Sequence, residues 1–213
     1  MAHAATTPEC WRCQTGPHAA LLCPACEAPL PLAPDADLFT VLGLPRSLAV
    51  DRADLERRYH AMSRAVHPDR HQTGDARARE LAERVSAAVN RAYRTLRDPV
   101  LRGRYWLELH GRPLHESGQK VPPALATLVF ETQEKLEDVR ADPAGAVRAD
   151  VEAVRAELVA RLGRLRDELQ RLYGGAVDAD ELARRLSEIA YLRTLRGDVE
   201  AALGELSGTD SRH

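Results

Sequence analysis

Four cysteines and one His-Pro-Asp tripeptide are the residues of this 213-residue chain whose types and spacing suit chemistry. Cys10-Trp-Arg-Cys13 and Cys23-Pro-Ala-Cys26 are two C-x2-C pairs, and no cysteine follows Cys26. A disulfide-stapled fold would spread its cysteines along the chain, and a reducing compartment would forbid the bridges. Clustered pairs point instead to a metal. Four thiolates suit tetrahedral zinc, each pair forming a knuckle that grips the ion from one side. Iron in the same cage, or unligated thiols, are the alternatives. A segment this short cannot bury enough core to fold alone, so ligation would supply its folding energy. A closed shell of four sulfurs leaves no position for a reacting water, so the expected zinc is structural. His3 and His18 are expected to be spectators, because the sulfurs already complete the shell.

The tripeptide His67-Pro68-Asp69 admits two local readings. A His and an Asp two residues apart can act as an acid–base pair. No candidate nucleophile, glycine-rich phosphate loop or second carboxylate is arranged around them, so catalysis has little support. A helix stop followed by a polar turn fits equally well.

The elements around these residues follow from hydrophobic periodicity. Leu38 to Leu42 suggests a short helix stopped by Gly43 and Pro45. A second helix starts after Asp51 as N-cap and carries Leu55, Tyr59, Met62 and Val66 on one face. It must stop at His67, since Pro68 disfavours helical geometry in the residue before it. A third helix is predicted from about Asp75 to Leu96 with Leu81, Val85, Ala88, Ala92 and Leu96 facing inward. Asp98-Pro99 starts a fourth, with Leu101, Tyr105, Trp106 and Leu109 available for burial and Gly111 as its end. Beyond a polar linker, three more amphipathic helices are expected. The first runs from Pro122 to about Arg140 and includes Leu125, Leu128, Val129, Leu136 and Val139. The second covers about 144–173, from Val147 to Leu172, and is ended by Gly174-Gly175. The third covers about 178–203. Short connections favour an antiparallel bundle. The predicted fold class is all-α: a helical hairpin and an antiparallel three-helix bundle behind a small four-cysteine extension. The expected division is 1–36, 37–111 and 112–206, with a disordered tail over 207–213.

Composition narrows the function classes. A formal net charge of −2 provides no global field for a nucleic-acid backbone. Arg12 is the sole Lys or Arg in residues 1–45, too few for a phosphate-tracking surface on the cysteine segment. No apolar run approaches the roughly 18 residues a membrane helix needs, and the first residues lack the pattern of a signal peptide. Neither a nucleic-acid nor a membrane partner is expected, and the cytoplasm is the default location.

Taken together, Asp37-Leu-Phe-Thr-Val-Leu-Gly-Leu-Pro45, the Leu55–Val66 helix, His67-Pro68-Asp69-Arg70, Asn90-Arg-Ala-Tyr-Arg-Thr-Leu96 and Asp98-Pro99 resemble a J-domain in order and spacing. Arg102-Gly-Arg-Tyr-Trp-Leu-Glu-Leu-His-Gly111 leads directly into a second helical region. That is similar to the HscB family of iron–sulfur co-chaperones rather than to generic DnaJ proteins, with their glycine/phenylalanine segment and zinc repeats. His60 and Ala61 after Tyr59 also fit HscB better, and the Cys-Trp-x-Cys extension resembles that of animal members.

The resemblance implies a chain that is not itself an enzyme. It would stimulate a DnaK/HscA-type chaperone ATPase and deliver an IscU-like iron–sulfur scaffold protein. His67, Pro68 and Asp69 would dock on the ATPase, with Asp69 meeting a cationic group and Arg58, Arg64 and Arg70, beside Arg57, forming a basic cluster toward an acidic partner surface. The scaffold face would include Ala126, Thr127, Phe130, Glu131 and Glu134, with Tyr191 on the last helix; Phe130 is the candidate aromatic anchor. Rival readings are a J-protein for another client, or a zinc-ribbon nucleic-acid or interaction module with a degenerate J-domain.

Overall fold

The structure is a computed structural model that describes residues 9–16, 20–71, 75–114, 121–141 and 147–209. The expectations for His3 and His18, and for the side chains of Pro68, Val139 and Val147, lie outside the described set. Among the described residues there are helices, turns and a single antiparallel bridge between Leu22 and Pro29, with no strand. The chain divides into two compact units, Met1–Arg102 and Gly103–His213.

In the first unit, helix α1 (Leu38–Val41) starts where Asp37 accepts a hydrogen bond from the Thr40 N–H at 2.7 Å, and it buries Leu38, Phe39 and Val41. Gly43, at φ +62°, turns the chain out of it. Helix α2 (Arg52–Ala65) is capped in the same way by Asp51, which accepts from the Asp54 N–H at 2.6 Å. Of its apolar row, Leu55 and Val66 are fully buried while Tyr59 and Met62 are half-buried. A 3-10 turn (Pro68–His71) leads on to helix α3 (Ala76–Arg97), capped by Asp75.

Helix α3 packs against both α1 and α2. Its buried stripe is Ala78, Ala82, Val85, Val89, Ala92 and Leu96. Val85, Ala92 and Leu96 are buried as expected, whereas Leu81 and Ala88 are only half-buried and Ala78, Ala82 and Val89 fill the remaining inward positions. Tyr59 on α2 ties the pair together: its hydroxyl donates to Asn90 Oδ1 at 2.9 Å, and its ring stacks on Tyr93 with centroids 4.0 Å apart.

Helix α4 (Pro99–Leu109) begins at Asp98, whose carboxylate accepts from the N–H groups of Val100 and Leu101 at 2.8 and 3.1 Å. The division between the units falls inside it, after Arg102. Its burial corrects the sequence expectation: Val100 and Leu107 are buried, while Leu101 and Leu109 are exposed. With apolar residues on several sides of the helix, periodicity could not select the buried one.

In the second unit, a 3-10 turn (Pro123–Leu125) runs into helix α5 (Ala126–Ala141), followed by α6 (Val147–Leu172) and α7 (Ala179–Thr209). All three pack on one another. Arg161 pairs with Glu188 at 3.1 Å and Glu168 with Arg185 at 2.9 Å; partner numbers that fall as the others rise make α6 and α7 antiparallel. Their seam holds Leu158, Leu165, Leu169, Leu182, Leu186, Ile189 and Leu192, all buried. Helix α7 continues through residues 207–209, where the sequence suggested a tail.

Candidate metal centre and docking tip

The two C-x2-C pairs fold as the same small device, one knuckle per pair. In the first, the Cys10 N–H donates to Thr15 O at 2.8 Å and the Gln14 N–H donates back to Cys10 O at 2.8 Å. In the second, the Cys23 N–H donates to Ala28 O and the Glu27 N–H to Cys23 O, both at 2.9 Å. Gln14 and Glu27, each one residue past its pair, adopt left-handed φ of +61° and +55°. That reversal brings the Thr15 and Ala28 carbonyls back to the N–H groups of Cys10 and Cys23.

The four Sγ atoms lie within 4.8 Å of one another. Cys10 and Cys26 sulfurs are 3.7 Å apart, and Cys13 and Cys23 sulfurs 3.5 Å. A tetrahedral ion with metal–sulfur bonds of about 2.3 Å sets sulfur–sulfur edges of about 3.8 Å, so the donor set and its spacing fit a tetrahedral metal. Cys10 and Cys23 are buried with Ala28 and Leu30 in a miniature core against which Trp11 packs.

The cage also shapes the thiol acidities. Cys13 is lowered to about 6, chiefly by the Thr15 hydroxyl 3.0 Å from its sulfur and by the Thr15 N–H. Burial opposes ionisation of Cys10, but the N–H groups of Cys13 and Arg12 outweigh it and lower its pKa. At Cys26 the Ala28 N–H favours the thiolate, yet burial and the three neighbouring sulfurs push the group up to about 12. Four like charges in one cage repel, which is the condition a bound cation relieves.

His67, Pro68 and Asp69 form the tip between α2 and α3. The side chains of His67 and Asp69 are 53% and 69% exposed, and His67 Nδ1 lies 3.4 Å from Asp69 Oδ2. The same nitrogen accepts from the Asp69 N–H at 3.3 Å, so both groups are held close while facing solvent. Pro68 opens the 3-10 turn.

The basic cluster expected beside the tip is divided. Arg57 and Arg58 both pair with Asp54 one turn earlier, and Arg58 also donates to the Gly43 carbonyl at 2.6 Å. Arg64 is exposed, and Arg70 approaches Glu27 of the second knuckle at 3.9 Å. The i, i+3 and i, i+4 spacing from Asp54 was the signal for this pairing.

The structure also joins residues that sequence reasoning left apart. The Trp11 indole N–H donates to Pro29 O at 2.8 Å, and the Arg77 guanidinium of α3 sits 5.1 Å from the Trp11 ring centroid. On α5, Ala126, Thr127, Phe130, Glu131 and Glu134 are all exposed along one stripe, and Phe130 is the most exposed large apolar side chain described, at 65%. Tyr191 on α7 is half-buried, and of the two leucines of α5 Leu136 is buried and Leu128 half-buried.

Comparison with known proteins gives this geometry its family. Residues 37–105 match the DnaJ domain family. The HscB co-chaperone homolog of Bordetella pertussis is 42% identical over 135 residues, an alignment spanning 62% of this chain and 79% of the homolog. The chain belongs to the HscB family of co-chaperones. The human iron–sulfur cluster co-chaperone HscB is 33% identical over 142 residues, covering 64% of this chain and 60% of that protein. The crystal structure of human HscB superposes with a TM-score of 0.72 at 27% identity, covering 91% of this chain and 98% of that one. The J-domain and HscB assignments read from the loop and helix motifs therefore hold. No helix among the described residues is long and apolar enough to cross a membrane.

Proposed function

We propose that this HscB-family chain stimulates the ATPase of a DnaK/HscA-type chaperone and hands it an IscU-like iron–sulfur scaffold protein. The observation that carries the first half is the solvent-facing His67/Asp69 pair at the end of a hairpin braced by the Tyr59–Asn90 and Tyr59–Tyr93 contacts. A charged tip on a braced hairpin meets a partner without first paying to order itself. Arg64 and Arg70 extend that contact, with Arg58 setting its edge through Gly43 and Asp54.

The second half rests on α5. Phe130 stands exposed beside the small side chains of Ala126 and Thr127 and is flanked by Glu131 and Glu134, a face suited to a partner with an apolar pocket and basic rim. Tyr191 is assigned to the same contact. On this reading residues 37–111 act on the ATPase and 112–206 on the scaffold. The four-cysteine segment, 1–36, is a structural zinc module. The chain performs no bond chemistry itself and works in the cytoplasm, with neither nucleic acid nor membrane as partner.

A pull-down from purified components tests the whole reading. The full chain should retain both an HscA-class ATPase and the scaffold, and Phe130→Ala should lose the scaffold alone. Retention of the ATPase with a different client and no scaffold would replace the second half of the proposal.

A further inference from the structure

Within the first unit, a cavity of about 540 Å³ opens between the two cysteine knuckles and the end of the hairpin. The knuckle side contributes Arg12, Cys23, Cys26 and Glu27, and the hairpin side Ala65 and Arg70. Arg70 directly follows the His67-Pro68-Asp69 tip. The metal module and the tip thus share one surface.

Three features suit this cavity to a carboxylate. First, Arg12 and Arg70 reach it from opposite modules, and Arg12 is the one cationic Lys or Arg side chain in residues 1–45. Guanidinium groups favour bidentate capture of carboxylates. Second, an acid is already there. Glu27 approaches Arg70 at 3.9 Å, with both side chains largely in solvent, at 80% and 59% exposure. A pair that long and that wet is weak and readily exchanged. Third, the first knuckle, which carries Arg12, is braced where it stands: Trp11 is fixed to Pro29 and lies under Arg77 of α3, which sets Arg12, the next residue, beside the hairpin.

We infer that the four-cysteine module is a second wall of the chaperone-docking surface. Arg12 and Arg70 take a carboxylate from an acidic segment of the ATPase, and Glu27 occupies its place in the free chain. The inference rests on the docking of the His67–Asp69 tip proposed above. Metal loading enters only as the condition that keeps the knuckle, and hence Arg12, in position.

Opposite responses of two exposed residues test it. The metal-loaded full chain and the HscA-class ATPase of the same organism are mixed with ATP, and binding is followed by fluorescence anisotropy at two salt concentrations. Arg12→Glu should weaken binding by about tenfold and flatten the salt dependence, as for a charge pair at an interface. Glu27→Gln, which removes the competing carboxylate, should tighten binding by roughly twofold. Metal content and unfolding midpoint serve as controls and should stay at wild-type values. Should Arg12→Glu shed its metal, the Glu27→Gln result alone decides, and unchanged or weaker binding overturns the inference. Wild-type affinity in both variants, with His67→Gln still silencing ATPase stimulation, confines docking to the J-domain and overturns the inference alone. If His67→Gln stimulates normally, the docking reading falls and takes this inference with it.

Discussion

Gly103 offers the sharpest test of packing in the second unit. A Cβ added there would sit 2.2 Å from the Tyr173 hydroxyl oxygen, with Leu186 and Leu182 methyl groups at 3.2 and 3.3 Å. Ordinary contact begins near 3.4 Å, so the hydroxyl must retreat by about one ångström. Tyr173 is 3% exposed and has little room to do so. Overpacking a buried site costs about 1–3 kcal/mol, and alanine recovers about 1 kcal/mol of helix propensity over glycine. With the clash at the severe end, Gly103→Ala should destabilise by about 2 kcal/mol, lowering the urea midpoint by about 1 M at an m-value near 2 kcal/mol/M. Circular dichroism titrations of the single and double variants read this directly. Tyr173→Phe removes the offending oxygen, so the same glycine change in that background should be neutral or mildly stabilising, a coupling of about 2 kcal/mol. An equal penalty in both backgrounds would refute the steric reasoning.

Phe130→Ala should leave stability within about 0.5 kcal/mol, since the side chain lies in solvent, while raising the scaffold Kd by about tenfold or more if it is the anchor; titration calorimetry distinguishes the two effects. Cys23→Ser should abolish stoichiometric metal in elemental analysis while far-UV dichroism keeps the helical signal, because no helix includes the knuckles. Asp37 is buried, which alone would raise its pKa, but the Thr40 N–H and Arg46 outweigh burial and hold it below the ordinary aspartate value. Its contribution is therefore complete above the unfolded value near pH 4 and is lost as pH falls toward the lower folded value. Asp37→Asn should flatten that acid limb, as followed by denaturant midpoints between about pH 2 and 5.

The helix boundaries from α1 to α4 were legible because their signals are local. Asp51 and Asp98 announce helix starts, Pro68 forbids continuation, and Gly43 and Gly111 adopt the positive φ that ends a helix. Faces were less legible. On α3, Val85, Ala92 and Leu96 were read correctly, but Ala78 and Ala82 are buried where Leu81 and Ala88 are not, and alanine reads as neutral in a hydrophobicity pattern. On α4, Val100 and Leu107 rather than Leu101 and Leu109 are buried, a choice made by neighbours outside the helix.

At the cysteine centre, ligand identity followed from spacing, and the four sulfurs do converge. The repeated backbone reversal at Gln14 and Glu27 was hidden, because neither residue type advertises a left-handed conformation. The contacts of Trp11 with Arg77 and of Glu27 with Arg70 connect residues far apart in sequence, so no local pattern could report them. The pairing of Arg57 and Arg58 with Asp54 was readable from helical spacing and shows that counting arginines overstates the free basic surface.

Steady-state ATP turnover by the HscA-class chaperone, measured with wild-type chain and with His67→Gln, tests the central claim most directly. Wild-type protein should accelerate turnover and the variant should leave it at the basal rate, with identical dichroism for the two proteins. Acceleration by the variant equal to that of wild type would contradict the assignment of the exposed tip as the contact that triggers hydrolysis.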